Sequence, residues 1–253
     1  YKTHAKMLLV TRRESRKLRH YVHLGTGNYH ARTARLYTDY GLLTCDEALG
    51  RDAARVFQLL TSLGQVKALS KMLQSPFTLH KKVIEKIKRE AANARAGKAA
   101  RIIVKCNALI EPETIEALYQ ASQDGVRIDC IIRGVCCLRP GVPGVSDNIH
   151  VRSIVGRFLE HTRVFYFHNE GDFDLYLSSA DWMGRNFFQR VETAFPVADR
   201  KIRQRILKDG LELYLADNID AWVLHKDGEY KRRVPVGKQR PHSAQSSLMS
   251  RKP

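Results

Sequence analysis

Two stretches of sequence decide the fold, LGTGNY at residues 24–29 and LSSADW at residues 177–182. Each runs from an apolar residue through small residues to an amide or acid, and then to an aromatic residue. The two stretches are 153 residues apart, and Arg32 and Arg185 share that spacing. Self-similarity of this kind predicts two duplicated units within the chain.

A histidine two residues before a cation precedes an apolar run in both units. These pairs are His4 with Lys6, and His161 with Arg163. An imidazole can act as a nucleophile toward phosphorus, a cation can hold phosphate charge, and the N–H groups of a tight turn can bind an anion. The repeat therefore predicts one phosphate site that is built from two histidines.

The order of elements predicts an α/β (α+β) fold, with mixed β-sheets flanked by helices. Residues 101–108 read as a strand, 112–123 as a helix and 126–133 as the next strand, which is a β-α-β unit. Ligands bind near strand ends in such units, where Asn107 and Arg133 lie.

The first half of the sequence predicts strands at residues 3–12 and 21–24 and an extended stretch at 34–43. Asp46 is predicted to cap a helix that extends to about residue 62. A second helix is predicted over residues 75–95, with apolar residues at helical spacing.

Three segments follow from these elements. Residues 1–97 are predicted to form the first domain with its connecting helices, residues 98–230 the second domain, and residues 231–253 a basic, disordered tail. Because the first strand begins at the first residues, we expect the first domain to be incomplete at its N-terminus.

Composition limits the class of protein. The chain has 253 residues and a formal net charge of +17, which predicts an anionic partner. No stretch approaches the ~20 apolar residues that span a bilayer, so we expect no transmembrane segment and a cytoplasmic location. Five cysteines without C-x-x-C spacing argue against a disulfide framework or a zinc site.

Longer motifs carry a family resemblance. The repeated His-x-Lys/Arg is similar to the phospholipase D superfamily, although Thr11 stands where an acid is expected and Arg163 replaces the second lysine. Six stretches resemble the histidine-phosphorylating polyphosphate kinases: KTHAK at 2–6, YVHLGTGNY at 21–29, TARLYTD at 33–39, QSPF at 74–77, RGVCCLRPG at 133–141 and GRFLEH at 156–161. The resemblance extends to about residue 230.

The resemblance implies two duplicated phospholipase D-like domains and roles for individual residues. His4 matches the histidine that attacks the γ-phosphate of ATP and passes the phosphoryl group to polyphosphate. His161 matches the second active-site histidine, which contacts the nucleotide phosphates and, as imidazolium, stabilises the leaving oxygen. Tyr37 and Arg133 match ATP-binding residues, and His23 matches a supporting residue.

The residue types themselves indicate further members of the site. The candidate phosphate ligands are Lys6, Asn28, Lys105, Asn107 and Arg163. A nucleophilic histidine needs an acceptor for its second nitrogen. We predict Asp39 in that role for His4, and Glu192 for His161.

The implied partners are ATP, ADP and inorganic polyphosphate, with Mg²⁺ accompanying the nucleotide. We find no acidic metal cage within the chain and expect no sequence-specific binding of nucleic acid. A homo-oligomer is expected for the complete protein, and peripheral contact with the inner membrane face stays open. Without the head domains of the family, the fragment could bind its substrates and still be inactive alone.

Two alternatives stay in view. One is a phospholipase D-like phosphodiesterase, and the other is a non-catalytic module that binds polyanions or nucleic acid. The product separates them, because only a kinase yields ADP together with lengthened polyphosphate.

Overall fold

The computed structural model of the chain describes residues 1–61 and 69–251. The strands in this part are β1 Lys2–Thr3, β2 Lys6–Glu14, β3 Lys17–Gly25, β4 Tyr37–Thr38, β5 Gly41–Thr44, β6 Leu73–Ser75, β7 Arg101–Cys106, β8 Arg127–Ile132, β9 Ile149–Ile154, β10 Leu159–Glu160, β11 Val164–Phe167, β12 Asp174–Ser178, β13 Arg190–Pro196, β14 Ala221–Leu224 and β15 Tyr230–Arg232.

The helices are α1 Ala31–Ala34, α2 Glu47–Leu60, α3 Leu79–Arg95, α4 Pro112–Gln123, α5 Gly184–Phe188, α6 Arg200–Ile206, α7 Leu213–Ala216 and α8 Ala244–Met249. A 3₁₀ turn covers Asn169–Gly171, and a π-helical segment, Leu207–Glu212, joins α6 to α7. In the described part of the chain, no helix is long and apolar enough to cross a membrane.

The strands form mixed sheets with helices packed against them, which confirms the predicted fold class. The large sheet has the order β1-β13-β12-β11-β7-β8-β9-β14-β15, and β6 also pairs with β13. Strands β2, β3 and β5 form a smaller antiparallel sheet. β7 and β8 are parallel neighbours joined through α4, as the β-α-β prediction requires.

The large sheet is buried on both faces, which explains its apolar strands. On β7, Ile102 and Val104 belong to a core beneath α3 and α4, whereas Ile103 belongs to a second core on the opposite face. That second core also contains Val22 and Leu24 of the smaller sheet. A strand covered on both faces reads as a continuous apolar run. The second core holds the two sheets together.

Two local predictions change in the structure, and the predicted end of a third element cannot be compared with it. Helix α2 is capped by Asp46 as predicted and ends at Leu60, and the predicted end at residue 62 lies outside the described residues. The predicted start of α3 at residue 75 is wrong, because residues 73–75 pair with β13 and the helix begins at Leu79. The stretch 34–43 is partly wrong, since it holds the end of α1 and two short strands.

Two short parallel pairings join the halves of the chain. β1 pairs with β13, with Lys2 opposite Arg190, and β10 pairs with β4, with Leu159 opposite Tyr37. The two pairings correspond through the sequence repeat. Each joins the strand just before one histidine to a strand of the other half that contains Glu192 or ends directly before Asp39. We call them the crossed pairings.

The prediction of a disordered tail is wrong for residues 231–251, and residues 252–253 lie outside the described residues. Residues 230–232 pair with β14, and α8 docks through buried Ala244 and Gln245. The Gln245 Nε2 donates to the carbonyl of Phe158 at 2.9 Å and to Glu160 Oε1 at 2.6 Å, and Gln245 Oε1 accepts from Phe158 N–H at 2.9 Å. Hydrogen bonds anchor this segment, so it needs no apolar periodicity.

We expect Gln245→Ala to lower the free energy of unfolding by about 2–3 kcal/mol, because it leaves buried polar groups of Phe158 and Glu160 without partners. Urea denaturation measures the change. Ser246→Ala, at an exposed position of the same helix, is the matched control and should stay within about 0.5 kcal/mol of wild type. Equal losses in both variants would contradict the anchoring role.

Candidate active site

His4 is held by a carboxylate from the other half of the chain. The pairing of β1 with β13 places its Nδ1 2.9 Å from Oε2 of Glu192, which is fully buried. Glu192 also accepts from Ser179 Oγ at 2.5 Å and from Asn186 Nδ2 at 2.6 Å. The backbone N–H of His4 donates to the carbonyl of Val191 at 2.9 Å. These contacts fix the ring and leave its Nε2 without a hydrogen-bond partner among the described residues.

His161 has a matching arrangement on the other crossed pairing. Its Nδ1 lies 2.9 Å and 3.0 Å from the two carboxylate oxygens of Asp39. Thr26 Oγ1 donates to Asp39 Oδ1 at 2.8 Å, as Ser179 does to Glu192. The ring of Tyr37 lies against His161, with 5.1 Å between the ring centroids.

The predicted acid partners are therefore exchanged. Asp39 was expected on His4 and Glu192 on His161, yet each histidine takes the acid of the opposite unit. Sequence separation within a repeat cannot reveal this, because the crossed pairings decide which acid meets which ring. Each of the two carboxylates contacts one of the two histidines, and the predicted assignment of each acid to its ring is wrong.

The cation two residues after each histidine also repeats. Lys6 Nζ donates to the carbonyl of His4 at 2.5 Å, and Arg163 Nη1 donates to the carbonyl of His161 at 2.7 Å. Burial lowers the pKa of Lys6 from 10.5 to about 8, with Glu192 acting in the opposite direction. Lys6 thus keeps its charge near neutral pH and begins to lose it in mildly alkaline solution.

The two cations differ in their counter-ions. Arg163 makes a two-point contact with Asp181, from Nε to Oδ1 at 3.1 Å and from Nη2 to Oδ2 at 3.0 Å. Asp181 also accepts from the backbone N–H of Asn107 at 2.7 Å. The repeat places Asn28 at the position of Asp181 in the first unit, so Lys6 lacks the corresponding carboxylate.

Lys105 lies deeper than the sequence predicts. Its Nζ is 2.7 Å from Glu160 Oε2 and 3.3 Å from the ring centroid of Tyr214, and its side chain is 3% exposed. Burial lowers its pKa, although Glu160 raises it. Gln245 and Thr38 also hydrogen-bond to Glu160. Lys105 therefore forms a buried ion pair with Glu160, the residue before His161, and does not lie at the predicted phosphate site.

An open cleft lies beside His161. A cavity of about 240 Å³ is lined in part by His23, Asn28, Tyr37 and Asp39. His23 Nδ1 lies 2.7 Å from the hydroxyl of Tyr29 and does not contact either site histidine through a hydrogen bond in the described structure. This placement suits a supporting residue.

Arg133 and Asn107 lie at the strand ends, as predicted. Arg133 is exposed after β8, and its guanidinium makes no hydrogen bond or ion pair within residues 1–61 and 69–251. It is available for an anion. Asn107 is half-buried after β7, and its Oδ1 has no hydrogen-bond partner.

Several site residues were missed from the sequence. Thr26 and Ser179 occupy matching positions in the two small-residue stretches and hydrogen-bond the two carboxylates, so the repeat contained the signal for both. Asn186 and Gln245 carry no comparable signal, since each acts through a contact that only the folded chain creates.

Metal ligands are not grouped in this site. Within the described residues, no cluster of three or more His, Cys, Asp or Glu side chains could hold a metal ion. Asp39 and Glu192 face histidines, which leaves neither acid as part of an all-protein metal cage.

Comparison with known proteins decides the family. The family described as Polyphosphate kinase C-terminal domain 1 matches residues 1–66, and that described as Polyphosphate kinase C-terminal domain 2 matches residues 72–245. The chain belongs to the polyphosphate kinase family. The resemblance inferred from the sequence motifs is confirmed.

Polyphosphate kinase relatives match nearly the whole chain. The enzyme of Pseudomonas aeruginosa is 58% identical over 251 residues, which are 99% of this chain and 36% of that protein. That of Burkholderia lata is 59% identical over 237 residues, 92% of this chain and 34% of that protein. The crystal structure of polyphosphate kinase from Porphyromonas gingivalis superposes with a TM-score of 0.91 at 35% identity, covering 97% of this chain and 38% of that one. This chain spans about a third of their length.

Because the Lys6 ammonium of this polyphosphate kinase chain is buried, we expect the stability of the fold to depend on pH. Between pH 8 and 10.5 the unfolded chain carries a proton on Lys6 that the folded chain has lost, so stability rises with pH in that window. We expect the free energy of unfolding of wild type to rise by about 2–3 kcal/mol relative to that of Lys6→Met between pH 7 and pH 10, because methionine does not titrate.

Urea denaturation at several pH values measures this shift. Lys208→Met, at an exposed position, is the matched control for removal of a lysine without burial. A Lys6→Met difference that is constant with pH would contradict the lowered pKa.

Proposed function

We propose that this chain is the catalytic region of a polyphosphate kinase that reversibly transfers the γ-phosphate of ATP to polyphosphate through a phosphohistidine at His4. The observation that carries the proposal is the His4–Glu192 contact. Nδ1 is bound to a buried carboxylate at 2.9 Å, and Nε2 has no hydrogen-bond partner in the described structure. A ring held in this way presents one nitrogen lone pair in a fixed direction.

The transfer is written as two displacements. The Nε2 lone pair of His4 attacks the γ-phosphorus, the bond from that phosphorus to the bridging oxygen breaks, and ADP leaves with the electron pair. The proton on Nδ1 stays in the hydrogen bond to Glu192, whose charge stabilises the positive ring. A terminal oxygen of polyphosphate then attacks the phosphorus, and the N–P electron pair returns to Nε2.

The available cations match this chemistry. Lys6 lies beside His4 without the carboxylate partner that Arg163 has, and Arg133 is exposed at a strand end. In-line phosphoryl transfer depends mainly on positioning and on stabilisation of phosphate charge. We assign Lys6 to the transferred phosphoryl group and Arg133 to the nucleotide phosphates.

We assign the nucleotide to the cleft beside His161. Tyr37 lines that cleft and supplies an aromatic face, and the ring contact fixes its position against His161. Mg²⁺ enters with ATP as part of the substrate, since phosphate oxygens supply its ligands. In the present arrangement Arg163 occupies His161 Nε2, so a role for His161 as an acid requires that contact to open. The homo-oligomer and the cytoplasmic location stay predictions.

Acid-labile label from γ-labelled ATP tests the nucleophile. We expect labelling of His4 that chases into polyphosphate, and none in His4→Ala, because no other ring among the described residues combines an Nδ1 bound to a carboxylate with an Nε2 that has no hydrogen-bond partner. The comparison is made in this chain and in a longer polyphosphate kinase that contains it.

His225→Ala, at an exposed position, is the matched control and should keep the full label. Label that persists in His4→Ala would assign the phosphohistidine to another residue. No label in the longer wild-type protein would reject the kinase proposal and favour a phosphodiesterase or a binding module.

Nucleotide binding tests the role of Tyr37. Tyr37→Ala should weaken binding of a non-hydrolysable ATP analogue by about tenfold, since stacking of a base on an aromatic ring contributes ~1–3 kcal/mol. Tyr37→Phe keeps the ring and should bind within about twofold of wild type on the same grounds. Calorimetry with Mg²⁺ present measures both, and equal affinities for the Ala and Phe variants would exclude stacking.

A further inference from the structure

The two halves of the site correspond through the sequence repeat, and one difference between them bears on the histidine rings. Thr26 matches Ser179, and each holds the carboxylate that orients a histidine of the other half. The difference lies in the cation and in the residue opposite it. The first half has Lys6 and Asn28, and the second half has Arg163 and Asp181.

That difference changes the environment of the histidine ring in the second half. Arg163 Nη1 lies 2.9 Å from His161 Nε2, while Nδ1 of the same ring faces Asp39. A guanidinium has donors and no acceptor, so Nε2 must accept and the ring proton lies on Nδ1. Both nitrogens of His161 are therefore occupied, and the Nε2 lone pair is unavailable.

Asp181 keeps Arg163 in this position. The carboxylate binds Nε and Nη2 on the side of the guanidinium away from Nη1, and the two side chains are 7% and 3% exposed. Nη1 is left to contact the ring and the carbonyl of His161. The planar fork of arginine permits both contacts at once, which an ammonium cannot reproduce.

The first half lacks the corresponding pair of arginine and aspartate. Lys6 donates to the carbonyl of His4 and makes no hydrogen bond to the ring, and the amide of Asn28 offers no charge to hold a cation in place. His4 Nε2 has no hydrogen-bond partner among residues 1–61 and 69–251.

We infer that Arg163, held by Asp181, decides which of the two equivalent histidines is phosphorylated, by occupying Nε2 of His161 and leaving Nε2 of His4 free. The inference rests on the proposed function of His4. Arg163 and Asp181 are positioning residues here, because they act through the His161 ring. The sequence difference between the halves thereby turns a symmetric pair of histidines into one nucleophile and one protected ring.

The first test reads the proton on the ring. In ¹⁵N spectra of this chain, His161 should carry its proton on Nδ1, with Nε2 shifted by an accepted hydrogen bond. In the double variant Arg163→Lys with Asp181→Asn, which copies the first half, the Nε2 signal should move to that of a free acceptor. A wild-type ring protonated on Nε2, or a signal unchanged in the variant, overturns the inference without reference to activity.

The second test maps phosphate from γ-labelled ATP in a longer polyphosphate kinase that contains this chain. In the double variant the ratio of label on His161 to label on His4 should rise about tenfold or more, as loss of a hydrogen bond from a charged donor predicts. There the Nε2 lone pair of His161 attacks the γ-phosphorus, ADP leaves with the bridging electron pair, and Nδ1 keeps its proton toward Asp39.

The reciprocal variant, Lys6→Arg with Asn28→Asp, should protect the ring of His4 and reduce its label by a similar factor. It also carries the test if the first variant fails to fold, as judged by circular dichroism. Unchanged label ratios in the folded variants would overturn the inference. An unlabelled His4 in wild type would instead count against the proposed function. The ring spectra would still decide whether Arg163 hydrogen-bonds to Nε2 of His161.

Discussion

The crossed pairings are the constraint on which the site depends. Each joins only two residues of one half to two residues of the other, yet each sets a histidine directly beside a carboxylate of the opposite unit. The register of each parallel pairing determines which carboxylate lies beside the histidine that follows the strand. The second core, which contains residues of both sheets, holds the halves close enough for these short strands to form. The chemistry of either half is therefore incomplete without the other.

Burial makes these contacts selective. A buried carboxylate without partners costs several kcal/mol, whereas one that receives charge-assisted hydrogen bonds regains most of that loss. Glu192 receives hydrogen bonds from Ser179 and Asn186 in addition to the His4 contact, and Glu160 is satisfied by Lys105, Thr38 and Gln245. Each of these two carboxylates is therefore held by several contacts at once. This rigidity suits a transfer that depends on the position of one nitrogen.

A duplicated scaffold explains both the likeness and the difference of the two histidines. The acids and hydroxyls around them correspond in position, Glu192 with Ser179 and Asp39 with Thr26. The cations differ in what they contact, because Arg163 is neutralised by Asp181 and reaches the ring, whereas Lys6 has no such counter-ion. Burial lowers the pKa of Lys6 to about 8, which leaves its charge available near neutral pH. Two residue differences between the halves, Lys6 against Arg163 and Asn28 against Asp181, thus give the two histidines different surroundings.

The sequence by itself determined the α/β fold, the duplication, the family and the two histidines, because these depend on local periodicity and on motifs that repeat at a fixed spacing. It also found the carboxylates Asp39 and Glu192. Only the tertiary structure decided their partners, since the crossed pairings bring together residues more than a hundred positions apart. The burial of Lys105 and the docking of residues 244–245 belong to the same class. Long-range hydrogen bonds leave no periodic trace in the sequence, so their partners become visible only when the chain is folded.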